Sequence, residues 1–472
     1  MHDDFSFAPG PKTDALPPES PNGPGLWGRF CKHTSALVAA LLLGTLLVFA
    51  LVGPAVSGYS TGFRDGRYQK MLPKFAPLAF LGWDGCAWES GSQGLYDQYR
   101  GLEAVKSAKS ELDPETGLRH YTMEVDAYEK VGYAYLDLSQ AQFDALRAYE
   151  AETATQICYP IPRYYRTHFL AVPNGANLWY ELKDESEHST GEAAAHDENG
   201  DPIFTPAWLL DGEGQPVIAV RNQTGVRVRV LYSAYYRYLH GKAPQFLFGT
   251  NQHGQDIFTC LASGARLSFL LSLLVSLLNF AIGLTYGAIE GYYGGRADLI
   301  MERIADILGA VPFIVVATLF QLHLAQAAGP VLSLLFAFVL TGWLGIAARV
   351  RTQFYRNKNA EYVLAARTLG AGDLRLIFRH ILPNALGTII TGTVLLIPGV
   401  IFSESMLSYL GIVNLEAAGF TSIGTMLAAG RSYLGTYSHI LAFPAVFLAL
   451  LLIGFNLVGN GLRDAINPVA QQ

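Results

Sequence analysis

The chain is poor in the residues that would give it chemistry of its own. Its 472 residues contain four cysteines, Cys31, Cys86, Cys158 and Cys260, with no Cys-x-x-Cys pair and no zinc-type spacing. That excludes a disulfide-built scaffold and offers no metal centre. There is no Gly-x-x-x-x-Gly-Lys-Ser/Thr loop to cradle nucleotide phosphates. Charged residues make up only 15%, and a net charge of −6 gives nucleic acid no basic surface. His120, His168, His188 and His196 fall in no metal or nucleophile pattern, so a membrane enzyme is disfavoured.

Apolar residues are abundant instead. They are 51% of the chain and give it a positive mean hydropathy. They gather in six runs, at 36–57, 267–289, 304–324, 331–348, 386–410 and 440–458. Each is near the ~20 residues needed to cross ~30 Å of hydrocarbon. The first run follows Arg29 and Lys32, and Ala55-Val56-Ser57 loosely resembles a cleavage site. Its apolar core is longer than the ~7–15 residues of a signal sequence, so it is expected to stay as an anchor.

Charge sets the expected orientation. Arg349, Arg351, Arg356, Lys358, Arg367, Arg375 and Arg379 lie between the fourth and fifth runs, against only Glu361 and Asp373. Basic loops stay in the cytoplasm. Six spans then place both termini there too.

Residues 1–30, rich in Pro, Gly, Ser and Asp over 1–25, are expected to be a disordered cytoplasmic tail. Residues 31–58 are the first transmembrane helix. Residues 59–245 form an extracytoplasmic inserted domain, with 18 Lys/Arg against 25 Asp/Glu. Strand patterns at 121–128, 133–138 and 217–220 and a Ser139/Gln142 capping box leading into a helix make it α+β. Turns are expected at 197–202 and 211–216, with a short strand at 203–204. Asp197-x-Asn199-x-Asp201 lacks the glycine of a calcium loop and reads as a turn. Cys86 and Cys158 both fall in the exported region, where a disulfide persists, and are the candidate pair. Residues 246–468 hold the other five helices. The fold class is an all-α polytopic membrane protein of six helices with an inserted α+β domain.

The most informative stretch runs from Glu361-Tyr362-Val363-Leu364-Ala365-Ala366-Arg367-Thr368-Leu369-Gly370 through Asp373, Arg375 and Arg379 to Leu382-Pro383. It reads as a polar helix with small residues, a glycine free to take positive φ, a second basic helix with Asp373 near its start, and a proline stop. A helix-turn-helix on the cytoplasmic face of a bundle can dock to a soluble partner.

This stretch resembles the EAA loop of bacterial ATP-binding-cassette importer permeases. The family pattern is Glu-Ala-Ala, three residues, Gly, nine residues, Ile, one residue, Leu-Pro. Ala365, Ala366, Gly370, Leu382 and Pro383 fall in register, while Leu364 replaces the glutamate and His380 the isoleucine. Glu361 stands three residues upstream as a substitute acid. Phe248-Gly249-Thr250-Asn251-Gln252-His253-Gly254-Gln255-Asp256, Gly264-Ala265-Arg266-Leu267-Ser268, Gly291-Tyr292-Tyr293-Gly294-Gly295 and Asn456 to Asp464 are similar to the second permease of the dipeptide/oligopeptide (peptide/nickel) group. The likeness spans about 246–468 plus the first helix and leaves out the insertion.

The resemblance implies the fold of a type I importer permease in the bacterial inner membrane. It implies a second homologous permease, two cytoplasmic ATP-binding subunits, an extracytoplasmic substrate-binding protein, a peptide substrate and surrounding membrane lipid. The chain would bind no cofactor; ATP and Mg would sit in the partner ATPases. The ATPase-coupling residues would be Glu361, Ala365, Ala366, Arg367, Gly370, Asp373, Arg375, Leu382 and Pro383. No catalytic residue is implied. Nickel chelates or another small solute are the alternative cargo. A receptor on a six-helix base is the alternative class, disfavoured by inner loops too short for a signalling domain.

Asn279, Pro312, Pro398 and Glu404 are pathway candidates, because polar groups and prolines inside spans are costly and create cavities or hinges. Glu404 also suits a structural role among Ser403, Ser405 and Ser408, Asn279 suits a helix-to-helix hydrogen bond better than substrate binding, and the prolines suit static packing equally well. Glu302, Arg303 and Asp306 have the spacing of a salt-bridged interfacial turn.

Overall fold

The computed structural model describes residues 26–112, 119–161, 167–168, 180–181, 209, 211–221 and 225–466. The expected turn at 197–202, the strand at 203–204, His188, His196 and the tail over 1–25 lie outside the described residues. Residues 26–30, assigned to that tail, instead form a helical turn, α1 (Leu26–Phe30), whose Phe30 is buried against Ala36 and Ala465. The rest of the first run is α2 (Thr34–Val56).

The insertion begins with an interlocked stretch rather than with its sheet. Asp65 N–H donates to Gly254 O, and Met71 N–H to the Thr250 hydroxyl. A Cβ on Gly254 would lie 1.8 Å from the Asp65 carbonyl oxygen, so only glycine fits there. Tyr59, Tyr68, Tyr128, Tyr236 and Phe246 form the aromatic cluster that fastens the insertion to this seat.

Beyond it lie two antiparallel sheets. The first has order β1 (Cys86–Ser92), β3 (Arg119–Asp126), β2 (Val105–Leu112), with α3 (Gln93–Gly101) packed on it. The second joins β4 (Tyr133–Leu138) to β9 (Val226–Leu231), whose other edge takes β5 (Cys158–Tyr159) and β8 (Ala219–Arg221) in succession. A two-residue pair, β6 (Thr167–His168) and β7 (Tyr180–Glu181), stands apart. The Ser139/Gln142 capping box starts α4 (Gln140–Thr153). The Val/Arg alternation of β9 buries Val226, Val228 and Val230. Arg229 is buried too, its guanidinium held by Pro160 O at 2.8 Å and the Tyr133 ring. The aromatic run after β9 is α5 (Tyr232–His240).

The membrane part follows. α6 (Ile257–Tyr293) is capped by Asp256, which accepts from Thr259 N–H at 3.0 Å. The expected third span is two helices, α7 (Gly295–Gly309) and α8 (Phe313–His323), bent by 72°. Pro312 sits at that break, not inside a helix, because its missing N–H costs nothing at a helix start. A short α9 (Ala325–Ala328) leads into α10 (Pro330–Gly342) and α11 (Leu344–Asn357), one apolar stretch. After α12 (Glu361–Thr368) comes α13 (Asp373–Arg375) and a π-helical turn, Leu376–Ile381. Then follow α14 (Leu382–Val394), α15 (Leu396–Tyr409), α16 (Ile423–Arg431) and α17 (His439–Ile466). Five stretches among the described residues are long and apolar enough to cross a membrane, or six with the bent pair.

Pro383 does not stop the polar helix, contrary to the sequence expectation. The chain runs through it into α14, and the widened turn, with Leu382 N–H bonded to Ile377 O, takes up the register change where Pro383 supplies no donor. Pro398 lies in the first turn of α15, where a helix needs no donor, just after the break at Leu395. Pro444 is inside α17.

Candidate functional site

The insertion joins α2 to α6 at one end of the bundle. The loop 358–381 lies at the other, beside the last residues of α6. Three glycines set that end. A Cβ on Gly283, Gly287 or Gly291 would fall 2.7, 2.3 or 2.7 Å from atoms of Ile346, Ala347 or Phe354. The backbones of α6 and α11 therefore touch along about two turns, and Tyr292 is delivered to the loop.

Each part of the loop has a local cause. Val363 is fully buried with Phe354, Leu376, Ile377 and Ile381, which anchors α12 to the bundle. Gly370 has φ +85°, its N–H bonds Arg367 O, and Ala371 N–H reaches Ala366 O. These two bonds make a Schellman end, which needs a left-handed residue at Gly370. Asp373 opens α13 and accepts from the Tyr292 hydroxyl at 2.6 Å, while Arg367 Nη2 donates to the same phenol oxygen at 3.4 Å.

The outer face is exposed and mixed. Leu369 is 88%, Leu374 71% and Phe378 61% exposed, interleaved with Arg367, Arg375 and Arg379. Ala365 faces outward, whereas Ala366 packs inward against the Val363 cluster. Glu361, at the exposed start of α12, makes no ion pair among the described residues. Leu364 is 44% exposed, so the position that departs from the family acid does face outward. Leu382 is half-buried and Pro383 exposed.

Arg351 braces this end. Its guanidinium bonds Asp298 at 2.6 Å and Glu302 at 2.8 Å, and lies 3.5 Å from buried Glu290. Glu302 is thus tied to α11 and not to its neighbour Arg303, which pairs with Asp306 on the surface.

The pathway candidates separate. Asn279 is 3% exposed and lines a cleft of about 270 Å³ with Phe313, Phe338, Leu396, Gly399 and Ser403. Its Nδ2 donates to Phe338 O at 3.4 Å and its Oδ1 has no partner. The break at Pro312 and the start of α15 near Pro398 border that cleft. Glu404 does not. It is buried where α15 meets α6 and α16, and accepts from the hydroxyls of Ser422 at 2.7 Å, Ser408 at 3.1 Å and Ser268 at 3.3 Å.

Cys86 and Cys158 are free and belong to different sheets, which corrects the expected disulfide. Burial pushes the Cys86 thiol up to about 11 and the Cys158 thiol up to about 12.

The profile of the family described as "Binding-protein-dependent transport system inner membrane component" matches residues 267–471. The oligopeptide transport system permease protein OppC of Bacillus subtilis (strain 168) is 44% identical over 221 residues, 47% of this chain and 71% of that one. The chain belongs to this permease family. The dipeptide transport system permease protein DppC of the same organism is 40% identical over 47% of this chain and 68% of its own length. Among solved structures, a methionine ABC transporter, MetNI, in inward-facing form covers 44% of this chain and 96% of its own at 17% identity and a TM-score of 0.35.

Two parts of this permease were not among the sequence expectations, and only one of them carries a sequence signal. The spacing of Gly283, Gly287 and Gly291 is visible as small residues every fourth position, a signal of close helix contact. The Arg351 node carries no such signal, because Asp298, Glu302 and Arg351 meet only once α7 folds back along α11.

Proposed function

We propose that the chain is a transmembrane subunit of an ATP-driven importer of dipeptides or oligopeptides. It lines the translocation pathway and is moved by cytoplasmic ATPases that grip the 361–383 loop. The carrying observation is the loop itself. A Schellman-terminated helix and a second basic helix, both anchored by Val363, Leu376 and Ile377, present Leu369, Leu374 and Phe378 to solvent. Exposed apolar side chains ringed by arginines suit a protein interface better than bulk water. Membership of the permease family and the peptide-transport names of its relatives support the cargo class.

In this reading the chain is a multi-pass protein of the bacterial inner membrane. The basic loop and both termini face the cytoplasm, and residues 59–245 face outward, in accord with the positive-inside rule. A second permease completes the pathway beside the Asn279 cleft, two ATP-binding subunits hold ATP and Mg, and an extracytoplasmic binding protein delivers the substrate. ATP-dependent accumulation of a labelled tripeptide by proteoliposomes holding the assembled complex is the expected result. Accumulation of nickel chelate without peptide would favour the other cargo.

A further inference from the structure

The insertion lies outside the residues matched by the family profile, and a cleft opens where it meets the opposite end of the chain. This cleft has a volume of about 710 Å³. Three parts of the insertion, 66–72, 87–89 and 127–133, form one wall; Thr436 and Tyr437, from the loop before α17, form the other. The seam is fixed: Lys70 Nζ lies 4.9 Å over the Tyr433 ring and 5.6 Å over the Tyr437 ring, and Trp83 Nε1 donates to Leu247 O at 2.6 Å. Lys70 holds this place at φ +57°, a left-handed backbone that a lysine rarely adopts.

The charge of the lining runs against that of the domain. Arg67, Lys70 and Lys130 face the cleft with one acid, Glu89, which is bonded to Lys130. Among the described residues no carboxylate lies within salt-bridge distance of Arg67 or Lys70. The nearby Asp65 carboxylate is already used by the Tyr232 hydroxyl and the backbone N–H groups of Arg67 and Tyr68. Two cations therefore remain for an anion in a domain that is net acidic. Beside them stand aromatic surfaces: Trp88, 60% exposed, and the half-buried Tyr133 and Tyr437.

We propose that this cleft binds the C-terminal end of a free short peptide, with Arg67 and Lys70 on the carboxylate and Trp88 and Tyr437 on the last side chain. Guanidinium and ammonium groups pair with carboxylates by charge-assisted bonds. The volume suits a ligand of a few residues, since small-molecule pockets run ~300–1,000 Å³, whereas a docking protein needs a flat patch of ~800 Å². The inference rests on the peptide-importer reading. It adds a site on this chain, at the outer end of the pathway, in a domain outside the matched core.

The test uses the full-length chain in lipid nanodiscs and isothermal titration calorimetry with alanyl-alanyl-phenylalanine. The free acid should bind at least about tenfold tighter than the C-terminal amide, and inorganic phosphate should not displace it. Arg67→Ala and Trp88→Ala, both at exposed side chains that the fold does not need, should each weaken the free acid severalfold. Absence of binding, equal binding of acid and amide, displacement by phosphate, or unchanged affinity in both variants would overturn the proposal. Uptake by the assembled complex is read separately. Normal peptide uptake without acid-selective binding sinks the cleft and leaves the importer reading. Acid-selective binding with no peptide uptake sinks the importer reading alone.

Discussion

The hydroxyl of Tyr292, one residue from the end of α6, donates to the carboxylate of Asp373, the first residue of α13, at 2.6 Å. The longest membrane helix is thus bonded to the loop proposed to receive force. Arg367 joins the same phenol, so both halves of the loop meet on one side chain. Under the proposed coupling, displacement of α12 and α13 would reach α6 through this bond and through the Val363 packing.

Tyr292→Phe removes the bond and leaves the ring. The variant should reach the membrane in normal amounts but transport fewer peptides per ATP hydrolysed, by a few-fold, because one hydrogen bond contributes about 1 kcal/mol. The ratio of uptake to phosphate release in proteoliposomes measures this. An unchanged ratio would remove Tyr292 from the coupling route.

Gly370 should tolerate no β-branched residue. At φ +85° a valine is strained, and the Schellman end must open. Gly370→Val should leave the bundle inserted while co-purification of the ATPase subunits falls severalfold; Gly372→Ala, at φ −72°, should not matter. Equal recovery of ATPase with Gly370→Val would contradict the docking role.

Arg351 compensates Asp298, Glu302 and the buried Glu290 together. Arg351→Ala removes the cation these carboxylates share, leaving Asp298 only the Tyr355 hydroxyl, and should destabilise by about 2 kcal/mol. The apparent Tm in detergent should drop by several degrees, with Arg351→Lys intermediate because it lacks the bidentate fork. Identical melting of all three proteins would show that the node is not structural.

Raised thiol values predict slow chemistry. A thiolate forms only as pH rises toward the thiol's own value, so at pH 7 Cys86 and Cys158 stay protonated and react slowly. Alkylation of the native protein should go on accelerating past pH 10 toward pH 11, where an ordinary thiol has already levelled off, and both thiols should label fully after denaturation without reductant. A Cys86–Cys158 disulfide peptide in the non-reduced digest would refute the free-thiol assignment.

Much of the local structure of the 361–383 loop and of the insertion is legible residue by residue. Gly370 had to break a helix, Ala365 and Ala366 had to lie on α12, and Ser139 had to cap α4. All are local effects of backbone freedom and short-range hydrogen bonding. The Leu382-Pro383 stop is misread because a π-turn offers a way past proline that composition does not show. Pro312 marks a true break, where α7 and α8 meet at 72°.

The sequence by itself determined the number of apolar stretches, the basic end, the α+β character of the insertion and the helix–glycine–helix loop. These follow from periodicity, charge and single-residue backbone preferences acting over a few positions. Only the tertiary structure decided that Tyr292 meets Asp373, that Arg351 gathers three acids, that Glu404 is tied to serines away from the Asn279 cleft, and that Cys86 and Cys158 stay apart. Each of those depends on residues far apart in the chain being brought within a few ångströms. Distance along a sequence carries no information about that.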